Sequence, residues 1–440
     1  MKGKSVYLLV LMLSVLFLFS YSKSSSDKLN CINCNVIVIL VDSLRADHLG
    51  CYGYPRNTSP NIDALAGQSI QYNHAFSAAP WTSASVASLF TSFYPSAHGV
   101  TALSERGSET VSSILSADFV TLAEALKENG YATYGVTANA WITPRLGFTQ
   151  GFDVFQELDY KDGGDAENLT GVALDFIDSA DTARPFFMYL HFMDSHMPYE
   201  PLPEFDVFNE SLDGYSGESQ NKINKYDGEI LYLDIKLGEF FTHLKEKGIY
   251  DKTLIVFLAD HGEQFGEHGS MGHGKSVYNV ETHVPLLIKS GGVGAERDDT
   301  VSLVDVYPTI LDIIGVRINH TIQGESLLAG KQGGAFSETT YLVDEQKSFV
   351  RSDGKKMIIA YNTTEKLVDR SDELNRQVYD VKTNSREKSG IKEGALSDEL
   401  AGELYTLYSQ TRKYRKNVSV QEAQLTENTI KRLKELGYLN

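Results

Sequence analysis

The stretch NVIVILVD, residues 35–42, is apolar and β-branched up to its last position. A run with no polar alternation predicts a strand covered on both faces, as in a parallel sheet. The run ends on Asp42, and a carboxylate at the end of a buried strand is costly unless it is paired or coordinated. Outward from this stretch, helical and buried-strand patterns alternate. TLAEALKENG (121–130) predicts a helix closed by Gly130. YATYGVTA (131–138), PFFMYLHF (185–192), TLIVFLAD (253–260) and VPLLIKS (284–290) predict further strands, with a long helix at about 218–247. The alternation predicts an α/β/α sandwich with a mainly parallel sheet.

Beyond residue 334 the pattern changes. TTYLVDE (339–345), SFVRSDGKKMIIAYN (348–362), EKLVD (365–369) and RQVYDV (376–381) are short strand-like runs. Asp353-Gly354 is a hairpin signal between them. They predict a small antiparallel sheet, followed by helices at about 397–413 and 421–437. The expected organisation is therefore a catalytic domain over 35–334 and a C-terminal subdomain over 335–440.

At the other end, Lys2 and Lys4 precede an apolar run from Val6 to Phe19, and Ser20-Tyr21-Ser22 follows. This pattern predicts that 1–22 is an export signal or N-terminal anchor, joined by a linker over 23–34. The protein is then expected outside the cytoplasm, secreted or held to the membrane through an uncleaved N-terminal segment. Cys31 and Cys34 form a CxxC before the first strand, and Cys51 lies beyond it. With no second cysteine pair nearby, a local disulfide or two ordinary thiols is expected rather than zinc. Six Asn-X-Ser/Thr sequons, Asn57 and Asn168 among them, are acceptors only in a glycosylating host. The formal charge of −18 argues against nucleic acid as a partner.

In an open parallel sheet, ligands gather at the carboxyl ends of strands. Asp42 stands at one such end and Asp260-His261 at another. His191 and His196 lie at and just past a third, while His268, His273 and Lys275 lie in the glycine-rich GEHGSMGHGKSVY (266–278). The strand-end group predicts one divalent metal ion, manganese or zinc before magnesium or calcium. In PWTSASVASLFTSFYPSAHGV (80–100), Thr82, Ser83 and Ser85 crowd the start of an apolar helix. On the residues alone, Thr82 is a helix cap or a nucleophile at the positive end of the helix.

The segments VDSLRADHLGCYGYPRNTSPNIDALA, LFTSFYPSAHGV, FFMYLHFMDSHMPY, LIVFLADHGE, GHGKSVYNVETHVPLLI, VYPTILDIIG and LKELGYL occur in this order along the chain. As a set they resemble the sulfatase family of the alkaline-phosphatase superfamily. The resemblance implies an alkaline-phosphatase-like fold, a metal held by Asp42, Asp260 and His261, and an oxygen nucleophile at a helix start. It further implies His196 beside the leaving group, Lys275 against the ester oxygens, and supporting roles for Arg45 and Asn61.

The departures matter as much. The Cys-X-Pro-X-Arg signature, which matures to formylglycine, is replaced by Thr82-Ser83-Ala84-Ser85-Val86. Ser43 stands where a second aspartate is usual, and Ala138-Asn139-Ala140 stands where a lysine and histidine are expected. What is left resembles the threonine-nucleophile branch of phosphodiesterases, phosphonate hydrolases and phosphotransferases. The expectation is an exported hydrolase or transferase of anionic phosphate or sulfate esters, phosphoesters favoured, with Thr82 attacking and also contacting the metal. His196 or His273 would protonate the leaving group. The substrate would be a phosphorylated or sulfated glycan, lipid or small molecule. A sulfatase without formylglycine and a non-catalytic glycan-binding protein on the same fold are the alternatives.

Overall fold

The structure, a computed structural model, describes residues 29–438 except 102, 107–108, 160–163, 181–183, 293, 331–332, 342–344, 362–372, 392–393, 416–420 and 437. The export-signal segment and the EKLVD run lie outside the described residues. Among the described residues, no helix is long and apolar enough to cross a membrane.

The strands in the first half are β1 (Asn35–Val41), β2 (Ile70–Phe76), β3 (Leu103–Arg106), β4 (Glu109–Ile114), β5 (Ala132–Thr137), β6 (Val154–Glu157), β7 (Phe186–Phe192) and β8 (Thr253–Ala259). A short hairpin of β9 (Gln264–Phe265) and β10 (Met271–Gly272) follows, then β11 (His283–Val284), β12 (Leu286–Lys289) and β13 (Ala295–Ser302). The main sheet runs β11-β2-β12-β8-β1-β7-β5-β6, with β13 paired to β2. From β8 through β6 every pairing is parallel. The VPLLIKS strand, β12, runs antiparallel to both its neighbours.

Every residue of β7 and β8 is buried, as is all of β1 after Asn35. This is the outcome for strands covered on both faces, and each such Val, Leu or Ile contributes roughly 1.5–3 kcal/mol by leaving water. The helix Thr82–Thr91 packs with Leu122–Glu128 and with Val306–Ile314, and Pro60–Ala66 and Ala166–Ser179 pack with the long helix Gly217–Glu246. The helix Leu122–Glu128 opens with a capping box between Thr121 and Glu124. Cys31 and Cys34 are joined in a disulfide, and the Cys31 N–H donates to the Ile313 carbonyl, which lays this segment onto the body.

The small sheet is antiparallel, as the pattern predicts, with order β14 (Ala335–Thr339), β15 (Gln346–Val350), β16 (Lys355–Tyr361) and β17 (Glu373–Asp380). Gly354 turns between β15 and β16 at a φ of 86°, which favours glycine. Two expectations are corrected here. The first strand covers Ala335–Thr339 rather than starting at 339, Tyr341 beyond it stacks on Trp81 at 4.8 Å, and 342–344 of the expected run lie outside the described residues. The last helix does not begin at 421. Gln421–Gln424 is a strand, β18, paired antiparallel with β4, and the helix Glu427–Glu435 starts only after Thr426 caps it. The chain thus leaves the small sheet and returns to the main body.

Candidate active site

Register places the site. Val41 pairs with Phe192 on one side and Ala259 on the other, while Thr137 pairs with His191. Asp42, Asp260, His191 and Asn139 therefore converge on one edge of the sheet, at the carboxyl ends of β1, β8, β7 and β5.

Ligand atoms of Asp42, Asp260 and His261 lie within 4.8 Å of one another, and all three residues are buried. The His261 Nδ1–H donates to the Gly262 carbonyl at 2.9 Å, which fixes the tautomer and leaves Nε2 bare. That Nε2 faces Asp42 Oδ1 at 3.5 Å and Asp260 Oδ2 at 3.4 Å. Burial drives the His261 pKa down to about 3. Burial also pushes up on Asp42, but a hydrogen bond from His191 and the neighbouring imidazoles His196 and His261 hold it far below the carboxylate range. Asp260 is driven the other way, by burial first and then by the charge on Asp42. Its Oδ1 accepts from the Ser43 and His261 backbone N–H groups, while its Oδ2 has no hydrogen-bond partner. An orphaned buried carboxylate oxygen, a facing carboxylate and a bare imidazole nitrogen form a donor set that fits a divalent cation.

Thr82 begins the helix Thr82–Thr91, and the capping reading does not hold. The cap position belongs to Trp81, which makes no side-chain cap bond. The Thr82 Oγ1 instead lies 3.4 Å from Asp42 Oδ2, 3.3 Å from His261 Nε2 and 3.0 Å from the Tyr438 hydroxyl. Nor does the Ser85 hydroxyl bond within the first turn: it donates to the Asp260 carbonyl at 2.7 Å and ties the helix to the end of β8.

Of the remaining histidines, His191 stands behind Asp42, with Nε2 at 3.1 Å from Oδ2 and Nδ1 at 2.9 Å from the Tyr189 hydroxyl. His196 donates from Nδ1 to the Met197 carbonyl at 2.6 Å, and its Nε2 is buried without a partner. The His273 ring is 4.3 Å from His261 and 5.1 Å from His196. Burial lowers the pKa of His196, and burial followed by the charge of Lys275 lowers His273 to about 4. Lys275 itself is exposed. His268 is apart, stacked on Tyr278 at 3.7 Å. Arg45 is buried in ion pairs with Asp47 and Glu267, and it donates to the Glu263 carbonyl at 3.0 Å, bracing the segment after β8. Asn61 binds Asp234 at 2.8 Å on the long helix. Both support the scaffold.

Three neighbours of the site are not singled out as site residues by the sequence. The Asn139 Nδ2 donates to Asp42 Oδ2 at 2.6 Å. Its position after β5 was the available signal, since strand ends carry the site. Glu263 is buried at 3.4 Å from His273, accepts from Tyr199 at 2.8 Å, and is pushed by burial up to about 7. Tyr438, within the LKELGYL segment, had no local signal, because nothing near it in the chain resembles a site.

Fold and edge cluster together define an α/β enzyme of the alkaline-phosphatase type. Within that class the chain belongs to the sulfatase family, whose model, Sulfatase, matches residues 34–316. An arylsulfatase of Clostridium perfringens is 24% identical over 373 residues, covering 67% of this chain and 77% of that protein. A protein solved in complex with its substrate, D-glucosamine-2-N,6-O-disulfate, superposes with a TM-score of 0.71 at 20% identity, over 88% of this chain and 98% of that one. The phosphonate monoester hydrolase of Agrobacterium radiobacter superposes with a TM-score of 0.68 at 19% identity, over 90% and 98%. At these identities the structural likeness is one of fold. Enzymes of this family typically bind a divalent metal, and Asp42, Asp260 and His261 are the candidate ligands here.

Proposed function

We propose that the chain is an exported hydrolase or transferase of singly charged phosphate or sulfate esters, phosphodiesters before sulfates, that works through a covalent ester on Thr82. The observation that carries this reading is the Thr82 Oγ1, held 3.3 Å from His261 Nε2 and 3.4 Å from Asp42 Oδ2. Asp42, Asp260, His261 and the Thr82 hydroxyl are the groups that would hold a divalent ion such as manganese or zinc. When bound, such an ion lowers the pKa of a neighbouring hydroxyl and polarises an ester oxygen.

The chain's own residues supply the rest. In this reading the Thr82 Oγ1 attacks phosphorus, the bond from phosphorus to the leaving oxygen breaks, and the proton given up by Thr82 is carried to that oxygen. His196 and His273 are proposed for the carrying, with the bare Nε2 of His196 as the acceptor that becomes the donor. The free N–H groups of the first turn face the anion. A threonine ester has no second hydroxyl on its carbon, so the intermediate opens only by attack of water or an alcohol at phosphorus or sulfur. This favours a phosphoester. Lys275, expected against the ester oxygens, is exposed, and the groups touching Thr82 and Asp42 on the anion side, Asn139 and Tyr438, are neutral. Neutral donors suit one negative charge better than two.

The family and its named arylsulfatase relative support sulfate esters as the second reading. Purified protein with Mn²⁺, assayed on bis(p-nitrophenyl) phosphate, p-nitrophenyl phosphate and p-nitrophenyl sulfate, tests both. The diester is expected to turn over fastest. Sulfate ahead of diester would replace the first reading by the second, and the dianionic monoester ahead of both would remove the charge argument. The N-terminal residues 1–22 support export; fractionation of cells expressing the full chain tests it.

A further inference from the structure

Asp42, Thr82, His196, Asp260 and His261 are all 0% exposed, and the side chain set among them comes from the far end of the chain. Tyr438 reaches the site because Leu433 and Leu436 are buried in the main core and Arg432 donates to the Leu158 carbonyl at 2.8 Å. Its own backbone is held at both ends: its N–H donates to the Leu433 carbonyl at 2.9 Å, and its carbonyl accepts from the Tyr341 hydroxyl at 3.0 Å. The phenol ring lies 4.8 Å from His196, 5.5 Å from His273 and 5.7 Å from Trp141. A side chain fixed by this many contacts is built into the site.

The donor count gives it a task. One Asn139 Nδ2 hydrogen goes to Asp42 at 2.6 Å, and the group also lies 3.3 Å from the Tyr438 oxygen. The second Asn139 hydrogen has Met193 Sδ at 3.2 Å and the phenol oxygen within reach, and the geometry lets the phenol accept there and give its one hydrogen to the Thr82 Oγ1 at 3.0 Å. The Thr82 hydrogen is left for Asp42 Oδ2 at 3.4 Å or the bare His261 Nε2 at 3.3 Å. In this chain of bonds a lone pair of Thr82 is occupied by the phenol and must be freed before Thr82 can attack.

We propose that Tyr438 is a catalytic residue delivered by the C-terminal segment: its O–H holds the Thr82 oxygen in the resting enzyme and passes to a non-bridging oxygen of the ester when substrate binds. The proposal rests on Thr82 being the nucleophile. It makes the tail a source of a neutral donor on the anion side, beside Asn139 from the turn after β5.

Orthovanadate is the probe, read by intrinsic fluorescence, because the chain has only 2 tryptophans and both border the site. The full chain is loaded with Mn²⁺ and titrated as wild type, as Tyr438→Phe, and, for turnover on bis(p-nitrophenyl) phosphate, beside Thr82→Ala. Loss of one such donor typically lowers turnover by about 100-fold or more. Tyr438→Phe is expected to bind vanadate about 10-fold more weakly and to lose about 100-fold or more in kcat, with less change in KM and unchanged metal content. Equal or tighter vanadate binding, or equal or faster turnover, would overturn the proposal, and faster turnover would mark Tyr438 as a plug. A wild type that gives no vanadate response also overturns it. If Thr82→Ala is dead while Tyr438→Phe is fully active, the tyrosine assignment alone falls. If Thr82→Ala keeps full turnover, the nucleophile reading falls and takes the tyrosine with it.

Discussion

The two halves of the site are built differently. On the cation side, Asp42 and Asp260 sit at the ends of the two central strands, one register step past Val41 and Ala259, with His261 next in the chain. On the anion side, the groups come from distant places: Asn139, bound to Asp42, from the turn after β5, and Tyr438, bound to Thr82, from the end of the chain. The first half is charged and fixed by the sheet. The second is neutral and assembled from segments 299 residues apart. A fold of this class can thus keep its strand-end carboxylates while the surroundings of the Thr82 hydroxyl are rebuilt.

The largest effect should come from the atom where the halves meet. Thr82→Ala is expected to lower turnover by about 10³-fold or more, and Thr82→Ser to keep a measurable share. Steady-state kinetics on the best ester checks this, and a small loss would separate Thr82 from the chemistry.

The cation side is tested without any substrate. Mn²⁺ at about 100 times its Kd should stabilise the wild type by about 2.7 kcal/mol, seen as a rise in melting temperature. Asp42→Asn and Asp260→Asn should abolish that rise. If it survived in both, the metal would sit elsewhere.

Asn139→Ala should lower turnover about 10- to 100-fold while the Mn²⁺ shift persists, since Asp42 keeps its bond from His191. Loss of the metal shift would merge the halves that the comparison separates.

The smallest effect lies in the scaffold beneath. Burial raises Asp194 to about 7, while burial and the charge of Asp194 raise Glu229 to about 8. Both native pKa values are raised above the unfolded values. Their contribution is therefore complete below the ordinary carboxylate range and is lost as pH rises through about 7 and 8. Glu229→Gln should stabilise the protein by about 1–2 kcal/mol at pH 8 and by nothing near pH 4. Denaturant melts at the two pH values measure the difference.

The same contrast explains what the sequence discloses. NVIVILVD and TLIVFLAD announce buried strands, and a strand end is where an aspartate becomes a ligand, so the cation side is legible from local pattern. Tyr438 meets Thr82 across 356 positions, and no local period encodes such a contact. The same return of the chain turns 421–424 into a strand, because its partner β4 lies more than 300 residues upstream. On short-range pattern alone the Thr82 hydroxyl reads as a cap or as a nucleophile, because local statistics govern helix starts. The sheet edge directs the hydroxyls of Thr82 and Ser85 to Asp42 and Asp260.

The central claim is a covalent ester on Thr82, and trapping it is the most direct test. Mn²⁺-loaded enzyme turning over bis(p-nitrophenyl) phosphate would be acid-quenched within milliseconds and its peptides read by mass spectrometry. The expected result is an aryl phosphate adduct on Thr82 that is absent from Thr82→Ala. An actively turning-over enzyme with no adduct, or with the adduct on Ser83 or Ser85, would contradict it.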